Sequence, residues 1–109
     1  MSRAVGDIGE DKAVTYLQQH GFNVVDRNVS SRFGEIDIIV IKDEVLHFIE
    51  VKSSYNYDIA VQNITPSKMQ KFIKTVDVYL KKHQLDLEYC IDVVIVTPDN
   101  ITLLENITL

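Results

Sequence analysis

The chain has 109 residues, 46% hydrophobic and 25% charged, with a net charge of −5. That length gives one domain with a modest core, and the acidic balance argues against a binder of bulk polyanion. The single cysteine, Cys90, excludes an intramolecular disulfide and reads as a small buried residue.

The first helix is predicted over Asp7–His20, with Gly21 as its left-handed stop. Glu10 precedes Ala13, Val14 and Leu17 by three, four and seven residues, so it shares their apolar face. A carboxylate there needs a partner. Either Asp7 and Glu10 form a capping-box variant, or the helix packs on a sheet and aims Glu10 at Asp37 and Glu50. Spacing leaves both open. A short strand, Phe22–Val25, follows, and Asp26–Gly34 reads as a polar loop carrying Arg27 and Arg32.

Two apolar runs, Ile36–Ile41 and Val45–Val51, flank Lys42-Asp43-Glu44 and predict a hairpin. With Asp43 and Glu44 as a two-residue loop, Lys42 pairs with Val45 and Ile41 with Leu46. Ile39 then faces Phe48, Asp37 faces Glu50 and Glu35 faces Lys52, and these six side chains share one face with Ile41 and Leu46. Opposed carboxylates repel, so Asp37 and Glu50 call for a cation between them. Lys52 is one candidate and a hard divalent metal another. In the bland alternative they are ordinary polar residues at strand ends, and a three-residue turn would separate them.

A polar stretch, SSYNYDIAVQNI, leads to a second helix with Thr65 as N-cap and Pro66 at its first position. Met69, Phe72, Ile73, Val76 and Leu80 form its apolar stripe. Residues Ser67–His83 carry five lysines against Asp77, a local +4 that leaves −9 elsewhere. Such a helix suits a phosphate backbone, or is simply a solvated face. Lys68 and Lys71 from it, Arg32 from the loop and Tyr55 are the candidate nucleic-acid contacts, Tyr55 by stacking on bases. Ile91–Thr97 reads as a strand covered on both faces, opened by a structural Asp92, and Ile101–Leu104 as a last strand. His20, His47 and His83 form no cluster with Cys90 in sequence that suggests zinc. The expected fold is a compact α/β domain over residues 1–109, a mixed sheet flanked by helices with a crossover through the second helix.

Five segments, GDIGEDKAVTYLQQHGF, NVSSRFGEIDIIV, LHFIEVKSS, ITPSKMQKFIKTVDVYL and YCIDVVIV, resemble the YraN-like family over nearly the whole chain. Gly34-Glu35-Ile36-Asp37 and Phe48-Ile49-Glu50-Val51-Lys52 are the most specific pieces. The resemblance implies a restriction-endonuclease-like fold of the PD-(D/E)xK nuclease superfamily, similar to archaeal Holliday-junction resolvases. It implies Mg2+- or Mn2+-dependent phosphodiester hydrolysis of DNA, with branched or damaged structures as substrates. Asp37, Glu50 and the Val51 carbonyl would be metal ligands, Glu10 a further acidic member, and Lys52 the residue that activates water or steadies the transition state. Lys68 would assist on the phosphate side. Nucleases of this superfamily often act as symmetric dimers, so a homodimer is a further expectation. Ser54 and Cys90 stand where members often carry arginine, which keeps open a non-catalytic nucleic-acid-binding or adaptor domain that retains the fold. No segment resembles a signal peptide and no apolar run could cross a bilayer, so a cytoplasmic location without a membrane partner is expected.

Overall fold

The computed structural model describes residues 5–107, with side chains from residue 8 onward. Helix α1 covers Val5–Gln19. Gly21, at φ 86°, ends it in a Schellman arrangement: its N–H donates to the Gln18 carbonyl at 3.2 Å and that of Phe22 to the Leu17 carbonyl at 3.0 Å. Because α1 starts at Val5, Asp7 is not its cap, and the Asp7 side chain lies outside the described residues.

Strand β1, Asn23–Ser30, is twice the expected length, so the predicted polar loop shrinks to residues 31–34. It is an edge strand, paired on one side only, and a register shift between Val24 and Asp26 breaks its alternation. Both properties hide a strand from a period-two reading. β2 (Glu35–Lys42) and β3 (Val45–Ser53) form the predicted hairpin, with Lys42 opposite Val45, Ile41 opposite Leu46 and Ile39 opposite Phe48. Asp43 and Glu44 both have positive φ, 51° and 67°, as a tight two-residue turn requires.

The crossover holds an unpredicted helix, α2 (Tyr57–Gln62), where the Asn56 side chain caps the N-terminus by accepting from the Ile59 N–H at 3.2 Å. Helix α3 (Pro66–Lys82) starts as expected, with Thr65 Oγ1 accepting from the Lys68 N–H at 3.2 Å. Its buried stripe is Met69, Phe72, Thr75, Val76 and Tyr79, whereas Ile73 and Leu80 are only partly covered. β4 (Tyr89–Val96) lies parallel to β3, and β5 (Ile101–Leu104) closes the other edge. Strand order is β1-β2-β3-β4-β5. The sheet is mixed, because a parallel neighbour needs the long crossover that α2 and α3 supply.

One core lies on each face. Leu17 and Ala13 of α1 pack with Phe22, Ile38, Val40, Ile49, Val94 and Val96. On the other face Met69, Phe72, Val76 and Tyr79 of α3 pack with Ile36, Ile39, Leu46, Phe48, Val93 and Ile95. No helix among the described residues is long and apolar enough to cross a membrane.

The turn carries two non-glycine residues in the left-handed region, which offers a direct test. Replacing Asp43→Asn together with Glu44→Gly should stabilise the protein by about 1 kcal/mol, raising Tm by roughly 4 °C. Thermal unfolding of the double variant measures this, and a lowered midpoint would contradict the turn geometry.

Candidate active site

The site forms where the strand alternation breaks. Ile36 packs in the α3-side core and Ile38, two residues on, in the α1-side core, although such neighbours normally share a face. Asp37 sits at the slip. Across the β1–β2 ladder, Arg27 pairs with Ile38 and Val29 with Ile36, leaving Asn28 and Asp37 between them. Asn28 takes up the same irregularity with φ 54°.

On the other side of β2, backbone pairing with β3 stops at Ile38 and Ile49. Asp37 and Glu50 are therefore not the ladder pair the register predicted. Instead the Val51 N–H donates to Asp37 Oδ2 at 2.7 Å. A carboxylate replaces the missing carbonyl and is held against Glu50, to which it is hydrogen-bonded. Lys52 Nζ lies 3.5 Å from Glu50 Oε1. Glu35 does not face Lys52 as expected; it pairs with Ser30 and joins Glu10 and Asp37, with one carboxylate oxygen of each within 4.8 Å of the others.

Glu10 reaches this group because α1 lies close on the sheet: any side chain at Gly9 would collide with Ser53 Oγ. Of the two readings left open for Glu10, convergence with the sheet carboxylates is the one observed, on Asp37 as expected but with Glu35 in place of Glu50. With its nitrogen turned toward them, the Asn28 amide donates to Glu10 Oε1 at 2.8 Å and to Glu35 Oε1 at 3.1 Å. Glu35 and Asn28 were not among the predicted site residues. A polar residue in the left-handed region of an edge strand leaves little trace in a hydropathy pattern.

Burial raises the Asp37 carboxyl above its ordinary value, with Glu35 adding to the rise and the Val51 N–H and Lys52 opposing it. Glu50 is pushed up to about 7, first by burial and then by the Asp37 charge, against Lys52. Four carboxylates with no sulfur or imidazole among them make an all-oxygen donor set, which fits Mg2+ or Mn2+.

The predicted nucleic-acid contacts divide. Ser31 Oγ lies 2.8 Å from Thr75 Oγ1, tying the loop before β2 to α3. The Arg32 guanidinium then sits 4.8 Å from the Phe33 ring centre and Lys74 Nζ 5.5 Å from it, while Gly34 abuts Lys71. Arg32 and Lys71 are thus brought beside the strand that carries Glu35 and Asp37. Lys68 instead donates to Asn63 Oδ1 at 2.7 Å, and Tyr55 projects 95% exposed from the loop after β3.

A second cluster corrects the sequence reading, which found no such grouping of histidine and cysteine. His47 and Cys90 are partners in the β3–β4 ladder, and His47 Nδ1 lies 2.6 Å from Asp92 Oδ2 and 3.0 Å from Cys90 Sγ. Asp92 is fully buried and also accepts from the Asn106 N–H at 2.8 Å, a structural contact with the loop after β5.

The Glu50 shift fixes a pH dependence. A pKa raised from 4.5 to about 7 means that the folded state keeps a proton the unfolded chain releases in this window. Stability of the metal-free protein is then highest below pH 4.5 on this account and falls as pH rises to 7, by at most a few kcal/mol. Glu50→Gln in EDTA should flatten that fall and exceed the parent in stability at pH 8. Urea unfolding of both at pH 5 and pH 8 checks this, and an unchanged pH slope in the variant would refute it.

Comparison with known sequences agrees with the pattern that carried the resemblance. Residues 9–96 match the profile of the Uncharacterised protein family UPF0102. A UPF0102 protein of Sulfurimonas denitrificans is 60% identical over 109 residues, covering all of both chains. Those of Aliarcobacter butzleri and Helicobacter hepaticus are 46% identical over 110 residues and 45% over 108, covering 97% or more of every chain. The chain belongs to family UPF0102, the YraN-like family of the resemblance.

Proposed function

We propose that this protein is a metal-dependent nuclease with a restriction-endonuclease-like fold, hydrolysing phosphodiester bonds in DNA, with branched or damaged structures as its substrates. One observation carries the reading: Asp37, Glu50 and Lys52 converge where β2 parts from β3, with Asp37 fixed by the Val51 N–H. Asp37 and Glu50, with Glu10 and the Val51 carbonyl, would hold Mg2+ or Mn2+. When bound, such an ion polarises a phosphoryl oxygen and lowers the pKa of its water.

The chain's own residues do the rest. Asp37, anchored through Oδ2 by the Val51 N–H, is held in one orientation among Glu10, Glu35 and Glu50, from which it can orient a ligand. Lys52, paired loosely with Glu50, can turn its ammonium toward the attacking water or the developing phosphate charge. Asn28 holds Glu10 and Glu35 apart from each other's charge by donating to both. Arg32, Lys71 and Lys74 supply positive charge for the strand's backbone. A cavity of about 380 Å³ opens beside Ser53, Ser54 and Lys12, just past Lys52, with room for part of a nucleotide.

A second reading, a non-catalytic nucleic-acid-binding or adaptor domain, is favoured by one specific pair of observations. Ser54 Oγ is turned onto the Asn56 carbonyl, and Cys90 is enclosed with His47 and Asp92. Serine and cysteine offer none of the positive charge expected at these two positions.

Labelled single strand, duplex, flap and four-way junction, each with Mg2+, Mn2+ or EDTA, separate the two. The nuclease reading expects metal-dependent cutting that Asp37→Ala with Glu50→Ala abolishes. It also expects stabilisation by the metal, about 2.7 kcal/mol at a hundredfold excess over Kd, which the double variant lacks. Folded protein that neither cuts nor responds to metal, yet binds these substrates in a salt-sensitive way, would establish the adaptor reading instead.

A further inference from the structure

We propose that His47, Cys90 and Asp92 form a second metal site, separate from the acidic cluster and suited to a thiophilic divalent ion such as zinc. Three different ligand types meet here. His47 Nδ1 is 3.0 Å from Cys90 Sγ and 2.6 Å from Asp92 Oδ2, and Cys90 Sγ is 3.4 Å from Asp92 Oδ1. Strand geometry makes the triangle. His47 and Cys90 are cross-strand partners, and Asp92 follows Cys90 by two residues on the same face. That face is the α1 side, where Val94 and Ile49 continue the two strands into the core. The site sits three residues before Glu50 on β3, about 10 Å along the strand from the acidic cluster.

Zinc bonds of about 2.3 Å to sulfur and 2.0–2.2 Å to nitrogen and oxygen set ligand separations near 3.4–3.5 Å in a tetrahedron. Asp92 now offers Oδ2 to the imidazole and Oδ1 to the thiol, so binding requires the two histidine edges to open by about half an ångström or somewhat more and Oδ2 to serve as the single ligating oxygen. A thiolate, a carboxylate and a neutral imidazole around a divalent ion are together uncharged, which suits a site whose Asp92 is fully buried. His47 keeps 11% of its side chain exposed, leaving a way in. On binding, Cys90 gives its proton to solvent and the ion takes the place of the hydrogen bonds that now link the three groups. Burial, Asp92 and Glu105 push the free thiol up to about 12, so without an ion Cys90 is a poor nucleophile and stays protonated. The positive charge of the ion reverses that balance. A water completes the fourth position and keeps the site uncharged.

Cadmium titration of reduced, chelator-stripped protein tests the assignment, since Cys90 is the single thiol in the chain. A thiolate-to-cadmium absorption band should saturate at one equivalent and disappear on displacement by zinc. His47→Ala should weaken binding by more than about tenfold, the loss typical of even indirect support to a metal. Asp37→Ala should leave the band intact, which distinguishes this site from the acidic one. No band with the folded parent protein would overturn the proposal and leave the cluster a hydrogen-bonded staple for the C-terminal loop. A band of undiminished affinity in His47→Ala would overturn it too, by reducing it to a lone thiol.

Discussion

The structure turns on one hydrogen bond, from the Val51 N–H to Asp37 Oδ2. β3 continues past the point where β2 leaves it, so its next inward amide has no carbonyl to meet. A buried amide left unpaired is costly, and a charged acceptor is a stronger substitute than the carbonyl it replaces. The bond therefore fixes where the hairpin opens and commits a carboxylate to a half-buried position beside Glu50. The raised pKa of Asp37 and of Glu50 follows from that commitment, since burial disfavours their charged forms. So does the gathering of Glu10 and Glu35, because Asp37 sits at the slip in strand alternation that turns β2 from one core to the other.

The rest of the fold holds this fork under constraint from both faces. α1 comes close through Gly9 and brings Glu10 from its own apolar stripe, where Ala13 and Leu17 anchor the helix. α3 grips the opposite face through Met69, Phe72 and Val76 and ties down the loop before β2 through Thr75 and Ser31. That tie aligns Lys71 and Lys74 of α3 with Arg32. The segment counted as +4 in sequence thus has its basic side beside the strand that carries the acids, a separation of charge within one surface that net charge alone obscures.

How much of this could be read in advance depended on whether the signal was local. The turn Asp43-Glu44 set the register through Ile39 and Phe48, since a two-residue loop leaves no freedom in the pairing. The N-cap at Thr65 and the stop at Gly21 were equally local. β1 reads shorter than it is because an exposed edge carrying a bulge and a left-handed Asn28 lacks regular alternation. α2 was missed because six residues, with Ala60 alone buried, present no stripe. At the site, extrapolating the register brought Asp37 and Glu50 near each other but gave the wrong reason: alternation fails at Asp37, and the contact comes from the departing strand. The same failure relocated Glu35 from Lys52 to Glu10.

The two ends of β3 show how one strand can carry two unlike chemistries. Residues 47 and 49 point to the α1 core and meet β4 in parallel register, so the partners of His47 are fixed by β4 as Cys90 and Asp92. Three residues later the antiparallel neighbour has left, and the side chains around Glu50 come from the fork, α1 and β1 instead. The first environment is bounded by the sheet, which buries Asp92 completely and holds three side chains in mutual contact. The second is opened by the loss of a strand, and like charges there stay together only with amides, Lys52 or a cation between them. Sulfur and imidazole therefore occur where the ladder is complete, and carboxylates where it ends.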